Sequence, residues 1–192
     1  MHISNIADIM TGYPFRKRIE NDPNGRFAVI QMRDVENYTH LMTENLARVS
    51  AIDPKERHFI RQNDLLFSAK GANNFAVQVE QLPVDTVAAA NFLVIRVRSD
   101  KVLPAYLAWY INQSPAQLFL QARSRGSYIP AISKMALSDL DIPLPSLALQ
   151  RKIVSIQSLA DREKVLLDQI QRRRERLMQA ILLKATRKGN AS

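Results

Sequence analysis

The sequence predicts an α+β fold: a mixed globular domain of short strands and helices, followed by one long C-terminal α-helix that forms an antiparallel coiled coil with a partner. Three observations carry this. Short apolar runs bounded by turn residues crowd the first half of the chain, whereas helical spacing begins only after Leu103. The segment Ile142-Pro143-Leu144-Pro145-Ser146 then sets two prolines two apart, which neither a helix interior nor a central strand accepts. From Leu149 onward there is no proline, and the next glycine is Gly189, so one uninterrupted helix runs nearly to the C-terminus. The expected division is a domain over 1–146, a helix over 147–188 and a disordered tail over 189–192.

The elements follow in order. Residues 4–10 read as a strand or a helical turn, closed by Thr11-Gly12-Tyr13-Pro14. The basic triplet Arg16-Lys17-Arg18 leads to Asn21-Asp22-Pro23-Asn24-Gly25, whose Asn-Gly is a tight-turn signal. Phe27-Ala28-Val29-Ile30-Gln31-Met32 reads as a strand ended by Arg33-Asp34. Residues 35–57 are polar and mixed, broken at Asp53-Pro54, and no element is read there. Asp64-Leu65-Leu66-Phe67-Ser68 is a short strand running into the loop Ala69-Lys70-Gly71-Ala72-Asn73-Asn74. Residues 75–80 alternate, with Phe75, Val77 and Val79 on one side and Ala76, Gln78 and Glu80 on the other. Residues 91–97 form a strand with a nearly continuous apolar start. Leu103-Pro104 opens a helix, proline being comfortable in a first turn, with Tyr106, Leu107, Tyr110 and Ile111 at helical spacing. Trp109, Tyr106 and Tyr110 are expected in the core. Ser114-Pro115 opens another helix, with Leu118, Phe119 and Ala122 on one side. After the loop Arg123-Ser124-Arg125-Gly126-Ser127-Tyr128, Ser133 is an N-cap for a turn through Met135 and Leu137, and Leu140-Asp141-Ile142 is a last short strand.

The terminal helix carries a heptad pattern. Positions a and d fall on Ile153, Ile156, Ala160, Glu163, Leu167, Ile170, Arg174, Leu177, Ile181 and Lys184, seven of them apolar and three charged. Adding Leu159, Leu166, Arg173 and Ala180 widens the stripe beyond a strict two-helix seam. A helix from Gln150 to Ala185 is about 54 Å long at 1.5 Å per residue. The stripe therefore predicts a partner helix. On two antiparallel copies, Glu163 and Arg174 lie opposite each other, where pairing fixes register.

Composition narrows the function. The 192 residues are 46 % hydrophobic, enough for a core, and no run reaches the roughly 18 apolar residues of a membrane span. The N-terminus lacks a basic region before an apolar block, so a cytosolic protein is expected. With no cysteine, disulfides, thiolate metal sites and cysteine nucleophiles are excluded. His2, His40 and His58 share no metal-ligand spacing, and no metal site is expected. The net charge of +9 favours a polyanion, nucleic acid before membrane. Residues 1–146 hold 16 basic against 14 acidic side chains, and residues 147–192 hold 11 against 4. Nucleic-acid contact by the near-neutral domain must then come from clustered loops. Phosphate loops, nucleophile elbows and paired catalytic acids are absent: the five glycines are scattered, and Asp53-Pro54-Lys55 suits a turn rather than a nuclease strand.

The ordered landmarks resemble a target recognition domain of the specificity (S) subunit of type I restriction–modification systems. Gly12-Tyr13-Pro14-Phe15 is similar to the family's opening turn, and residues 27–35 to the strand ending in an acidic residue. Asn63-Asp64 and the strand through Gly71 resemble its Gly-Asp block, with Asn63 replacing glycine. Leu103-Pro104-Ala105-Tyr106-Leu107 and Gly126-Ser127 match later landmarks. Residues 140–153, a strand, Pro-Leu-Pro and then Gln before a long helix, are the strongest match.

The resemblance implies a half-length, non-catalytic subunit with one recognition domain. Two copies pair through the helix, read an inverted repeat with a fixed gap, and dock methyltransferase subunits and, where one exists, a restriction/translocase subunit. S-adenosylmethionine is expected on the methyltransferase, with no cofactor in this chain. Loop-borne groups expected on double-stranded DNA are Arg16, Lys17, Arg18, Arg33, Lys70, Asn73, Asn74, Arg123, Arg125, Ser127, Tyr128 and Lys134. Arg33, Asn73, Asn74 and Arg125 suit bases, whereas Lys17, Lys70 and Lys134 suit phosphates. The alternative is a coiled-coil adaptor without direct DNA readout.

Overall fold

The structure, a computed structural model, describes residues 1–189 apart from residues 39, 72, 84, 125 and 127–129, with side chains described as far as residue 184. Contacts divide the chain into two compact units, Met1–Arg151 and Lys152–Ser192.

The first unit is built on strands β1 (Ala7–Thr11), β2 (Phe27–Ile30), β3 (Val35–Glu36), β4 (His40–Leu41), β5 (Ala47–Val49), β6 (Leu65–Ser68), β7 (Ala76–Gln78), β8 (Thr86–Ala88) and β9 (Phe92–Val97). Helices α1 (Pro104–Ile111), α2 (Ser114–Gln121) and α3 (Lys134–Ser138) follow. A short 3-10 turn, Ile3–Asn5, precedes β1, so the opening segment is both a turn and a strand. One sheet is antiparallel in the order β1-β9-β6-β7; a second has β2 between antiparallel β5 and parallel β8; β3 and β4 form a hairpin.

Strand β2 shows why this domain has two apolar layers. Successive side chains on a strand point to opposite faces. Ala28 and Ile30 enter the main core with Leu66, Val77, Phe92 and Val94 from the larger sheet and Val79 just past β7. Phe27 and Val29 enter a second cluster with Val49 and Val87, capped by Tyr13, Phe15, Ile19, Ile52 and Phe59. Every residue of β2 is therefore buried.

Strands β3, β4, β5 and β8 lie where no element was expected. Each has two or three residues, too few for a periodic signal, and each is specified by its neighbour: β5 and β8 exist because β2 offers both edges. The strand expected at residues 140–142 is corrected to a single bridge, Asp141 opposite His2, flanked by hydrogen bonds from Ile3 N to Leu140 O (3.1 Å) and from Ile142 N to Met1 O (2.9 Å). The apolar side assigned to α2 is also corrected. Ala116 and Leu120 are buried, whereas Leu118 is 65 % exposed and Ala122 is exposed. An eight-residue helix offers barely two turns, so its periodicity left the face ambiguous.

Other expectations hold. Tyr106, Leu107 and Ile111 of α1 are buried, with the half-buried Trp109 and Tyr110 rings beside Tyr106. Ser133 Oγ accepts from Ala136 N at 3.1 Å and caps α3.

Helix α4 (Leu147–Gly189) follows Pro143 and Pro145. Its first turn belongs to the N-terminal unit through Gln150, which is wholly buried. Gln150 Oε1 accepts from Leu103 N (2.9 Å), and its Nε2 donates to Lys101 O (2.9 Å) and Pro145 O (2.8 Å). Tyr106 donates its hydroxyl to Pro143 O (2.8 Å). The glutamine after the double proline thus ties the start of α4 to the start of α1. In the second unit, Ile156, Leu167, Ile170, Leu177 and Ile181 are all more than half exposed, as are Leu159 and Leu166. Ala160, Glu163 and Arg174 are exposed with them, and Ile153 is half-buried. The expected tail falls, apart from Gly189, outside the described residues. No helix among the described residues is long and apolar enough to cross a membrane.

Candidate nucleic-acid interface

The loop after β6 is held rigidly at its base. Ala69 O accepts from Ile132 N (2.8 Å), Lys70 bridges Ala131, and Gly71 N donates to Pro130 O (3.0 Å). Gly71 has φ of 108°, a left-handed conformation that favours glycine. The segment carrying Lys134 is thereby fastened beside the loop carrying Lys70. Both lysines are exposed.

The other end of this loop lines a cleft of about 270 Å³. Asn73 and Asn74 form one wall, Tyr38 from the β3–β4 hairpin and Phe75 another, and Asn112, Gln117 and Gln121 of the α1–α2 region a third. Asn112 is fully engaged: its Oδ1 accepts from Ala76 N and its Nδ2 donates to Ala76 O, both at 2.8 Å. That side chain acts as a strand partner for the edge strand β7, where Ala76, on the same side as Gln78 and Glu80 in the alternation, is buried. Asn74 Nδ2 donates to Ser68 O (2.8 Å), and Gln117 Nε2 to Ile111 O (2.7 Å). Asn73 Nδ2 donates to the Tyr38 hydroxyl (2.9 Å), and the Tyr38 and Phe75 rings lie 5.1 Å apart. Two residues beyond Gln121, the exposed Arg123 guanidinium stacks on Phe119, 3.6 Å from the ring centroid.

Of the twelve expected DNA contacts, the structure gathers Lys70 and Lys134 at one loop base, Asn73 and Asn74 at the cleft, and Arg123 just past the helix that lines it. Arg16, Lys17 and Arg18 are exposed on a segment without regular structure, between Phe15 and Ile19, which pack under the smaller sheet. No hydrogen bond or ion pair among the described residues joins this triplet to the Lys70 loop. Arg33 lies elsewhere, with Nε 3.8 Å from Asp34 Oδ1. Asp34 borders a groove of about 510 Å³ that also carries Glu36, Glu44 and Glu80, an acidic setting. Burial pushes the Asp34 carboxyl above the usual range, opposed by the Gln31 N–H (2.7 Å) and by Arg33. Arg125, Ser127 and Tyr128 lie outside the described residues.

Two landmarks prove structural. A Cβ on Gly12 would stand 2.3 Å from Ala89 O, so the opening turn needs glycine for close strand approach. Asn63 has φ of 70°, and asparagine tolerates this left-handed position better than other residues with a Cβ. Asp64 beside it is buried and holds Arg96 bidentately, Nε to Oδ1 at 2.8 Å and a terminal nitrogen to Oδ2 at 2.7 Å. Arg96 also donates to Phe59 O (3.0 Å), and Arg61 N donates to Asp64 (2.8 Å). The carboxylate raises the arginine's pKa further. This clamp joins β6 to β9 and was not visible in sequence, because Arg96 lies 32 residues away in an apolar strand. Tyr38, Gln117 and Gln121 were also missed. The one sequence cue for Tyr38 is Asn37 before it, a residue that accepts positive φ.

Fold and sequence comparisons converge. The crystal structure of the type I restriction–modification system S subunit from M. genitalium aligns with a TM-score of 0.57 at 14 % identity, over 84 % of this chain and 38 % of that one. The HsdS subunit from Thermoanaerobacter tengcongensis aligns with a TM-score of 0.61 at 19 % identity, over 89 % and 39 %. A structure described as the basis of complex assembly and conformational transition of the type I system gives 0.64 at 20 % identity, over 86 % and 38 %. These likenesses define the fold. The model for the type I restriction modification DNA specificity domain matches residues 1–175, and the chain belongs to that family. It is also similar to the HindI type I restriction enzyme specificity subunit of Haemophilus influenzae, 26 % identical over 180 residues, 92 % of this chain. The chain spans 39 % of that relative's length.

Proposed function

We propose that this chain is the sequence-specific DNA-recognition subunit of a type I restriction–modification system. Two copies pair antiparallel through α4 and hold two recognition domains a fixed distance apart on a bipartite inverted repeat. The helix pair docks DNA adenine methyltransferase subunits and, where the system has one, a restriction/translocase subunit, in the cytoplasm. The methyltransferase supplies S-adenosylmethionine and the chemistry; this chain supplies the address and is not itself catalytic.

The observation that carries this reading is the match to a DNA specificity domain across residues 1–175, which takes in the N-terminal unit and most of α4. The exposed apolar stripe of α4 supports pairing, since burying each large apolar side chain is worth about 1.5–3 kcal/mol. The cations at Lys70, Arg123 and Lys134 support contact with phosphates, and the amides of the adjacent cleft suit bases.

A salt series tests the DNA side. Affinity of the full chain for duplex DNA should fall log-linearly with salt, by a slope of about 0.9 per phosphate engaged. Lys70→Ala should lower that slope by about 1 and leave assembly unchanged. A salt-independent affinity, or Lys70→Ala matching the parent in both constant and slope, contradicts it.

A further inference from the structure

We infer that the cleft between the β3–β4 hairpin and the end of α2 is a base-edge reader for an adenine in the target, with Gln121 as the contacting side chain and Tyr38 as its rigid wall. This rests on the DNA reading above and adds two specificity-determining residues to it.

The chemistry of the cleft selects this ligand. Its polar lining consists of carboxamides and one phenol, without a charged side chain. Several amides already spend one of their two N–H donors internally: Asn74 on Ser68, Gln117 on Ile111 and Asn73 on Tyr38. Each keeps its carbonyl oxygen and a second N–H, neutral groups that offer a phosphate no opposite charge and match the donors and acceptors of a base edge. Gln121 is exposed at the last turn of α2; its main-chain oxygen accepts from Ser124 N (3.1 Å), and its side-chain amide makes no hydrogen bond among the described residues. It keeps both its donor and its acceptor, the pair that meets N7 and the N6 amine of adenine together. The cations stand apart, Lys70 three residues before Asn73 and Arg123 two after Gln121, where they can hold the backbone while the amides read.

Tyr38 gives the cleft its shape. Asn37 and Tyr38 have φ of 50° and 62°, two successive non-glycine residues in the left-handed region. Such conformations persist where the surroundings fix them, and often at binding sites. Here the Phe75 ring and the Asn73 amide fix the tyrosine. Its hydroxyl accepts from Asn73 and still has its own proton to donate.

The test is selection of randomised DNA duplexes by the purified full chain, followed by sequencing of the enriched pool. The parent should enrich a consensus containing an A·T pair that Gln121→Ala no longer distinguishes, discrimination there falling roughly 5- to 150-fold, as expected for one bidentate contact. Gln121→Arg should move that position toward guanine, which a merely structural role would not do. Tyr38→Phe, which keeps the ring packing, should weaken discrimination at the same or the adjacent position, with unchanged thermal unfolding. If all three variants reproduce the parent consensus, the cleft does not read bases and the inference falls while the DNA reading stands. If the parent itself enriches no consensus, the DNA reading fails and takes this inference with it.

Discussion

The N-terminal domain and α4 solve opposite problems. In the domain, the buried Asp64 is answered by Arg96, the buried Gln150 by three main-chain groups and the half-buried Asn112 by the β7 edge. Along α4, apolar side chains at heptad spacing stay exposed amid a large excess of positive charge. A compact unit with its own apolar core carries its stability within itself. A helix with an unburied apolar stripe is stable in isolation only to the modest extent that local propensity allows, and gains most of its stability from tertiary or partner packing. On the proposed function, recognition lies in the domain and assembly in α4, and each should be breakable alone.

The largest effect is expected in the helix. In the proposed pair, Leu167→Asp or Ile170→Asp places a carboxylate on the helix–helix contact of both copies at once. Loss of two apolar side chains per pair, at about 1.5–3 kcal/mol each, weakens association by about 100-fold or more, while the domain's thermal unfolding is unchanged. Concentration-dependent ultracentrifugation beside calorimetry would show both; loss of the domain's fold instead would erase the contrast.

Next in size is Asp64→Ala, which leaves Arg96 half-buried and unpaired. Breaking a buried pair from one side costs about 3–5 kcal/mol, so chemical denaturation should shift by that amount with self-association retained.

Asn63→Gly should match or slightly exceed the parent in stability, whereas Asn63→Val should lose stability, because a β-branched side chain resists positive φ. Equal stability for both would mean that the turn is not held left-handed in solution.

The smallest effect is a pH signature. Folding raises the Asp34 pKa, so its contribution is fully present below the unfolded carboxylate pKa and is lost as pH rises through the folded value. Asp34→Asn, which keeps an acceptor for the Gln31 N–H, should therefore gain stability relative to the parent at neutral pH, and that gain should shrink as pH falls through the carboxylate range. A difference that does not vary with pH would assign the effect to packing.

What the sequence disclosed follows the same divide. Strands β2, β6, β7 and β9 and all four helices announce themselves by apolar runs, proline starts or a serine cap. The very short strands β3, β4, β5 and β8 do not, because their conformation is set by a neighbouring strand rather than by their own residues. At the candidate interface, Lys70, Asn73 and Asn74 were visible as a polar loop with a glycine. Tyr38 and Gln121 were not, since they come from a hairpin in an unpatterned stretch and from a helix end, and only the fold brings them to that loop. Gln150 stood in the sequence as a landmark, but its reason, a buried amide joining the beginnings of two helices, depends on three-dimensional proximity.

The solution mass of the pure 192-residue chain tests the central claim most directly. Sedimentation or light scattering should give twice the mass of one chain, reverting to one under Leu167→Asp. A strictly single-chain mass at every concentration, with the apolar positions of α4 protected from solvent, would contradict it.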